Sequence, residues 1–114
     1  MNSFNYLVFE LNGLSYALPA EMVQEILPLP ELTPSDEMPP WIRGIFDLRG
    51  RFIPVIDLDQ RINGTRHRCL VTDNVIVLSN GEFSPALIVS EVNNVVEIKQ
   101  EDITDIRNVM PEDG

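Results

Sequence analysis

The sequence predicts a mainly β fold of short strands closed into a small barrel or a pair of barrels, with one or two short helices. Three observations predict it. Apolar and polar residues alternate with period two in short runs such as Phe4–Leu11. Turn dipeptides (Asn12-Gly13, Arg49-Gly50, Asn63-Gly64, Asn80-Gly81) punctuate those runs. Helical spacing of apolar residues is confined to a single brief stretch, and prolines interrupt the rest of the chain.

Phe4 to Leu11 places Leu7, Phe9 and Leu11 on one face, and Leu14 to Leu18 follows across Asn12-Gly13, a hairpin signal because both turn residues accept positive φ. Pro19 ends the strand and suits the first position of a helix; Met22, Val23 and Ile26 then predict one or two helical turns from Pro19 to Gln24 or Glu25. Five of the nine prolines lie in residues 28–40, which therefore read as an extended connector held to the surface through Leu29 and Leu32. Trp41 to Leu58 reads as two strands turning at Arg49-Gly50, with Pro54 marking an edge or a bulge and with Leu48 and Phe52 anchoring the flanks of the turn. Residues 59–68 read as a polar loop, Cys69–Leu78 as a strand, Pro85–Val92 as another, and Val95–Ile98 as a last short one. Gln100–Ile103 reads as a helical turn, and the tail from Thr104 to Gly114 carries no strand.

Length and composition bound the possibilities. The chain has 114 residues, 44% hydrophobic and 23% charged, so it is globular in composition and has room for one domain or two small lobes with a shared core. A single cysteine excludes an intrachain disulfide framework and a cysteine-rich zinc site, and no metal or cofactor is expected. The net charge of −10 argues against a general nucleic-acid binder. No apolar run reaches the length of a membrane span, and the start of the chain carries no secretory pattern, so a cytoplasmic location is expected. Charge is unevenly placed: residues 1–42 carry acids and no Lys or Arg, whereas residues 43–68 hold Arg43, Arg49, Arg51, Arg61, Arg66 and Arg68. An all-arginine island suits bidentate carboxylate pairing, within the fold or at an interface.

Candidate chemistry is thin. Asp57 and Asp59, at i and i+2, read as strand-end caps and arginine partners rather than an acid–base dyad. His67 and Cys69 lack a third orienting group, and Arg66 and Arg68 oppose a charged imidazole, so no catalytic residue is expected. Arg49 stands apart, because an arginine at the tip of a tight β-turn is either an ordinary turn residue or a rigidly presented interface anchor.

The run Trp41-Ile42-Arg43-Gly44-Ile45-Phe46-Asp47-Leu48-Arg49-Gly50, followed by Ile53-Pro54-Val55-Ile56-Asp57-Leu58, resembles the signature of the CheW-like domain. Val8-Phe9-Glu10-Leu11, Tyr16-Ala17-Leu18-Pro19 and Val23-Gln24-Glu25-Ile26 resemble its opening, and Leu87-Ile88-Val89, Val92 and Val95–Ile98 its later strands. The resemblance covers nearly the whole chain and implies one CheW-like domain over residues 1–114, made of two SH3-like five-stranded barrels around a shared core. It implies a non-enzymatic adaptor that couples the cytoplasmic tips of methyl-accepting chemoreceptors to a CheA-like histidine kinase. The alternative is a reduced module that only oligomerises or binds the kinase. By the same resemblance Arg49 lies on the partner-binding surface, Val23 and Glu25 on the segment associated with receptor contact, and Ile45, Leu48 and Val55 line or support a groove, with Gly44 and Gly50 as structural turn residues.

Two departures from the family pattern carry expectations of their own. Asp47 stands where the family usually has Asn, losing an amide donor, and is expected to pair with Arg43, Arg49 or Arg51. The chain also stops at Gly114, before the family's last glycine-containing turn and hydrophobic strand. An unpaired edge invites another chain, so the expectation is a homodimer by strand exchange or edge pairing, or a barrel closed differently.

Overall fold

Alternation along each strand decides which of two apolar clusters its side chains enter. The computed structural model describes residues 3–34, 36–79 and 84–99. β1 (Ser3–Leu11), β2 (Leu14–Pro19) and β8 (Glu91–Lys99) form one antiparallel sheet in the order β2-β1-β8. The second sheet runs β3-β6-β7-β5-β4, from β3 (Val23–Pro28), β4 (Ile42–Leu48), β5 (Arg51–Ile56), β6 (Asn74–Leu78) and β7 (Ala86–Val89). Its strands are antiparallel except for the β5–β7 pair.

β6 and β7 are buried on both faces. Val75, Val77, Ala86 and Ile88 point into a cluster with Phe46, Leu48, Ile53 and Val55, enclosed by the second sheet itself. Ile76, Leu78, Leu87 and Val89 point the other way, onto Leu7, Phe9, Leu11 and Leu18 of the first sheet. The period of two thus makes one sheet the wall of a small barrel and the partner of a second layer at once. The near-continuous apolar runs of β6 and β7 are what burial on both faces requires.

Local chemistry fixes the corners. Asn12 (φ 52) and Gly13 (φ 83) take left-handed conformations between Leu11 and Leu14, as a two-residue hairpin turn needs. The connector after β3 is held as expected: Leu29 and Leu32 pack on the barrel cluster, and Thr33 bridges Ile45 by two backbone hydrogen bonds of 2.9 and 3.0 Å. Because Ile45 bonds outward to Thr33, Ile45 and Pro54 face each other as a non-hydrogen-bonded pair, so the missing N–H of Pro54 points away from β4. On its other side β7 pairs only with Val55 and Ile56, and Pro54 is accommodated in a strand that is not at the sheet edge.

Four sequence expectations are corrected. Instead of a helix from Pro19 to Gln24 or Glu25, a single 3-10 turn covers Ala20–Met22 and the chain enters β3 at Val23. So short an isolated helix is marginal, whereas pairing with β6 satisfies the backbone of this segment. Residues 59–68 are not all loop: helix α1 spans Leu58–Asn63, capped by the Asp57 carboxylate accepting from the Gln60 N–H (3.0 Å) and ended by Gly64 at φ 73. β6 begins at Asn74 rather than Cys69, because Asp73 closes a turn with Leu70. The two last strands divide at Ser90, where the chain passes from one sheet to the other; its N–H donates to Glu10 O (2.8 Å) and its hydroxyl accepts from Asn12 N–H (3.1 Å), so β8 runs unbroken through Asn93-Asn94. The Asn80-Gly81 turn, the helical turn at Gln100–Ile103 and the tail lie outside the described residues.

Candidate functional site

The β4–β5 hairpin turns on Arg49 (φ 51) and Gly50 (φ 90), the same pair of left-handed conformations that Asn12-Gly13 adopts. Asparagine and glycine take them readily, whereas an arginine there is strained. Strain of this kind persists where the surroundings hold it and a function needs the side chain. Two contacts hold it here. The Asp47 Oδ1 accepts from the Gly50 N–H (2.8 Å), closing the turn. The Arg49 guanidinium, whose side chain is 68% exposed, pairs with the Glu25 carboxylate on β3. That hydrogen bond, and then the Glu25 charge, push the Arg49 pKa above its already high ordinary value.

The structure therefore joins two residues that the sequence places far apart: β3 and the β4–β5 apex meet through Glu25 and Arg49. Val23, half-buried two residues before Glu25, packs against the core shared by the two sheets. Asp47 does not pair with the neighbouring arginines; its turn-closing role needs only an acceptor, which Asp and Asn both supply. Gly44 is not at a turn. It sits inside β4 at a register shift, with φ 155 and with the Thr33 carbonyl so close that a Cβ would lie 2.8 Å from its oxygen. Leu48 and Val55 are buried in the barrel cluster and support the surface from beneath. Phe52 does not anchor the turn from inside either, since it is 77% exposed.

Ile45 faces an open groove of about 410 Å³ lined by Glu31, Thr33, Ile45, Phe46, Asp47 and Phe52. Its lining is mostly apolar and includes the two acidic residues Glu31 and Asp47. Sequence reasoning did not assemble this groove, because Glu31 and Thr33 come from the proline-rich connector and reach β4 only through the Thr33–Ile45 bridge.

At the opposite end of the hairpin lies a buried polar network. Asp57 is fully buried and accepts from the Gln60 N–H (3.0 Å), the His67 N–H (2.9 Å) and Arg43 Nη1 (3.2 Å). Arg43 Nη1 also donates to His67 O (2.6 Å), and His67 Nε2 meets Asp73 Oδ2 at 2.8 Å. Asp59 accepts from Asn12 Nδ2 and Asn63 Nδ2. Each carboxylate is engaged by donors from its own fold. Cys69 has its pKa raised by burial first and by Asp73 and Asp57, against the opposing pull of Arg43 and Arg66, so its thiol is disfavoured as a thiolate. Among the described residues no group of three or more His, Cys, Asp or Glu could hold a metal, and no helix is long and apolar enough to cross a membrane.

Comparison with known proteins follows the same outline. The family described as CheW-like domain matches residues 5–113. The chemotaxis protein CheW of Bacillus subtilis (strain 168) is 30% identical over 97 residues, covering 85% of this chain and 62% of that protein. The chemotaxis protein CheW of Klebsiella aerogenes is 31% identical over 100 residues, covering 86% and 59%. The chain thus spans about three-fifths of the length of these curated relatives. The crystal structure of the scaffolding protein TtCheW from Thermoanaerobacter tengcongensis matches with a TM-score of 0.77 at 31% identity, over 86% of this chain and 67% of that one.

Proposed function

Because the chain belongs to the CheW-like domain family, we propose that it is a non-catalytic adaptor, coupling chemoreceptor cytoplasmic tips to a CheA-type histidine kinase in the cytoplasm. The observation that carries this reading is the Glu25–Arg49 pair: an exposed guanidinium in a strained conformation at a hairpin apex, held by a carboxylate from β3. A turn residue that contributes nothing to the core and sits in a disfavoured conformation is positioned for a partner. Arg49 and Glu25 make the polar contact, with Val23 beside them and Ile45 on the adjoining groove; Leu48 and Val55 keep the apex rigid from below. Two observations support the non-catalytic part: the Cys69 thiol is pushed toward its neutral form, and Asp57 and Asp59 each accept hydrogen bonds from groups of the fold.

The test is co-purification with the regulatory domain of a CheA-type kinase and, separately, with a receptor signalling tip. Wild-type protein is expected to retain both. Arg49→Glu is expected to lose binding while keeping the wild-type far-UV spectrum and melting temperature within a few degrees. Retention of the kinase alone would identify the reduced module, and normal binding of both partners by Arg49→Glu would remove Arg49 from the site.

A further inference from the structure

Two of the chain's three Asn-Gly pairs, Asn12-Gly13 and Asn63-Gly64, converge on one carboxylate. Asp59 of helix α1 is 9% exposed; its Oδ2 accepts from Asn12 Nδ2 (2.6 Å) and its Oδ1 from Asn63 Nδ2 (2.8 Å). Asparagine is chemically labile, most of all before glycine, which has no Cβ to keep its nitrogen from the asparagine side chain. The glycine nitrogen gives its proton to solvent base and attacks the asparagine Cγ. The bond to the side-chain nitrogen breaks, and that nitrogen leaves as ammonia. Water then opens the cyclic imide at either carbonyl, leaving aspartate or isoaspartate, and no other reactant is needed.

The two pairs differ in what restrains them. Gly64 ends helix α1, and its N–H already donates to Gln60 O (3.0 Å), so its nitrogen is not free to attack. Asn12 is exposed at the tip of the β1–β2 hairpin, where the two-residue turn leaves the Gly13 nitrogen outside the Leu11–Leu14 pairing. What restrains Asn12 acts on its side chain. The Asp59 carboxylate pins the amide and, being negative, opposes the negative charge that develops on the Asn12 carbonyl oxygen as Gly13 attacks. Asn12 is also a junction: its N–H donates to the hydroxyl of Ser90 (3.1 Å), where the chain passes from β7 to β8. Hairpin tip, helix α1 and sheet crossing thus meet at this residue.

We infer that Asn12 is a deamidation site held in check by Asp59, and that its conversion unties the β1–β2 hairpin from helix α1. The product exchanges an amide donor for a second carboxylate facing Asp59, so a hydrogen bond becomes a like-charge contact. Isoaspartate adds, besides, an atom to the main chain of a turn that has only two residues. The site concerns the covalent ageing of the chain and is independent of the adaptor reading.

The test is peptide mapping by mass spectrometry while the folded chain is incubated at mildly alkaline pH, with conversion scored at Asn12 and at Asn63. Wild-type protein is expected to convert Asn12 slowly and Asn63 more slowly still. Asp59→Ala is expected to raise the Asn12 rate by about tenfold, the factor that loss of one charge-assisted hydrogen bond allows, and to leave Asn63 behind. Asn12→Asp reproduces the product without incubation and should melt below wild type. Combining it with Asp59→Asn, whose amide can donate to the new carboxylate and still accept from Asn63, should recover most of that loss. This second measurement needs no Asp59→Ala protein and stands if that variant fails to fold. An Asn12 rate unchanged by Asp59→Ala overturns the inference, and so does equal acceleration of Asn12 and Asn63, which reports general loosening. An Asn12→Asp chain that melts with the wild type, or a loss that the paired substitution leaves in place, overturns the untying.

Discussion

Replacing Asp57 by alanine removes three hydrogen-bond acceptor contacts from a fully buried position, and the cost can be assembled from what is left behind. The Gln60 N–H loses its cap, worth about 1 kcal/mol to helix α1. The His67 N–H is stranded away from water, a desolvation cost of about 1–3 kcal/mol. Arg43, with a side chain only 15% exposed, keeps its bond to His67 O but loses its counter-charge. Breaking a buried ion pair costs about 3–5 kcal/mol, and partial water access to the guanidinium places this one at or below the low end. The losses overlap because one network carries them, so the expected total is about 3–5 kcal/mol. A domain of this size has about 5–15 kcal/mol to lose. With a urea dependence of about 1–2 kcal/mol per M, the unfolding midpoint should fall by about 1.5–5 M at unchanged slope. Asp57→Asn should fall less but still measurably, because its amide offers one acceptor where three donors converge, and its own N–H₂ must face one of them. A drop below about 0.5 M for Asp57→Ala would mean that water replaces the carboxylate freely, and the reasoning about a closed network would be wrong.

Three further outcomes are expected. Gly44→Ala places a Cβ 2.8 Å from the Thr33 carbonyl oxygen at φ 155, which forces the connector off β4; the cost of about 2–4 kcal/mol should lower the melting temperature by more than about 10 °C. Arg49→Asn should raise the melting temperature, because asparagine accepts φ 51 more readily than arginine, while partner capture in a pull-down is lost. The Cys69 pKa is raised in the folded state, so the protonated thiol contributes stability below the unfolded-state pKa, and that contribution is lost as pH rises through the folded value. Alkylation by iodoacetamide at mildly alkaline pH should accordingly be slower in native protein than in urea-unfolded protein, measured by mass.

The architecture was legible where one local rule decided the outcome. Asn12-Gly13 set the first hairpin, alternation set the inward faces of β1, and Leu29 and Leu32 tied down the connector. It was not legible where a distant partner decided. Val23 to Ile26 carries a helix-compatible pattern, and only the presence of β6 alongside makes it a strand. Helix α1 was within reach, since Asp57 and Gly64 are its cap and its left-handed stop; the polar character of residues 59–68 hid a helix whose buried side is small. The candidate site divides in the same way. Arg49-Gly50 announces an exposed apex from sequence, whereas the pairing with Glu25 and the groove built by Glu31 depend on how β3 and the connector return to the hairpin.

That division bears on where the molecule can change without losing its fold. Arg49, Phe52, Leu70 and Val71 are exposed, and replacing them removes little from either apolar cluster. Beneath them lie groups that cannot be exchanged one at a time: Gly44 against Thr33 under the groove, and Asp57, His67 and Asp73 under the exposed tip at Leu70 and Val71. Asp73 holds both the His67 ring and the Leu70 N–H, so Asp73→Ala would release the tip as well as cost stability. Val71→Asp, by contrast, breaks none of the hydrogen bonds of that framework and should alter only what the tip meets. A surface whose support is intolerant and whose contact residues are free is one that can trade partners by substitution at the tip alone, provided the polar framework below is kept whole.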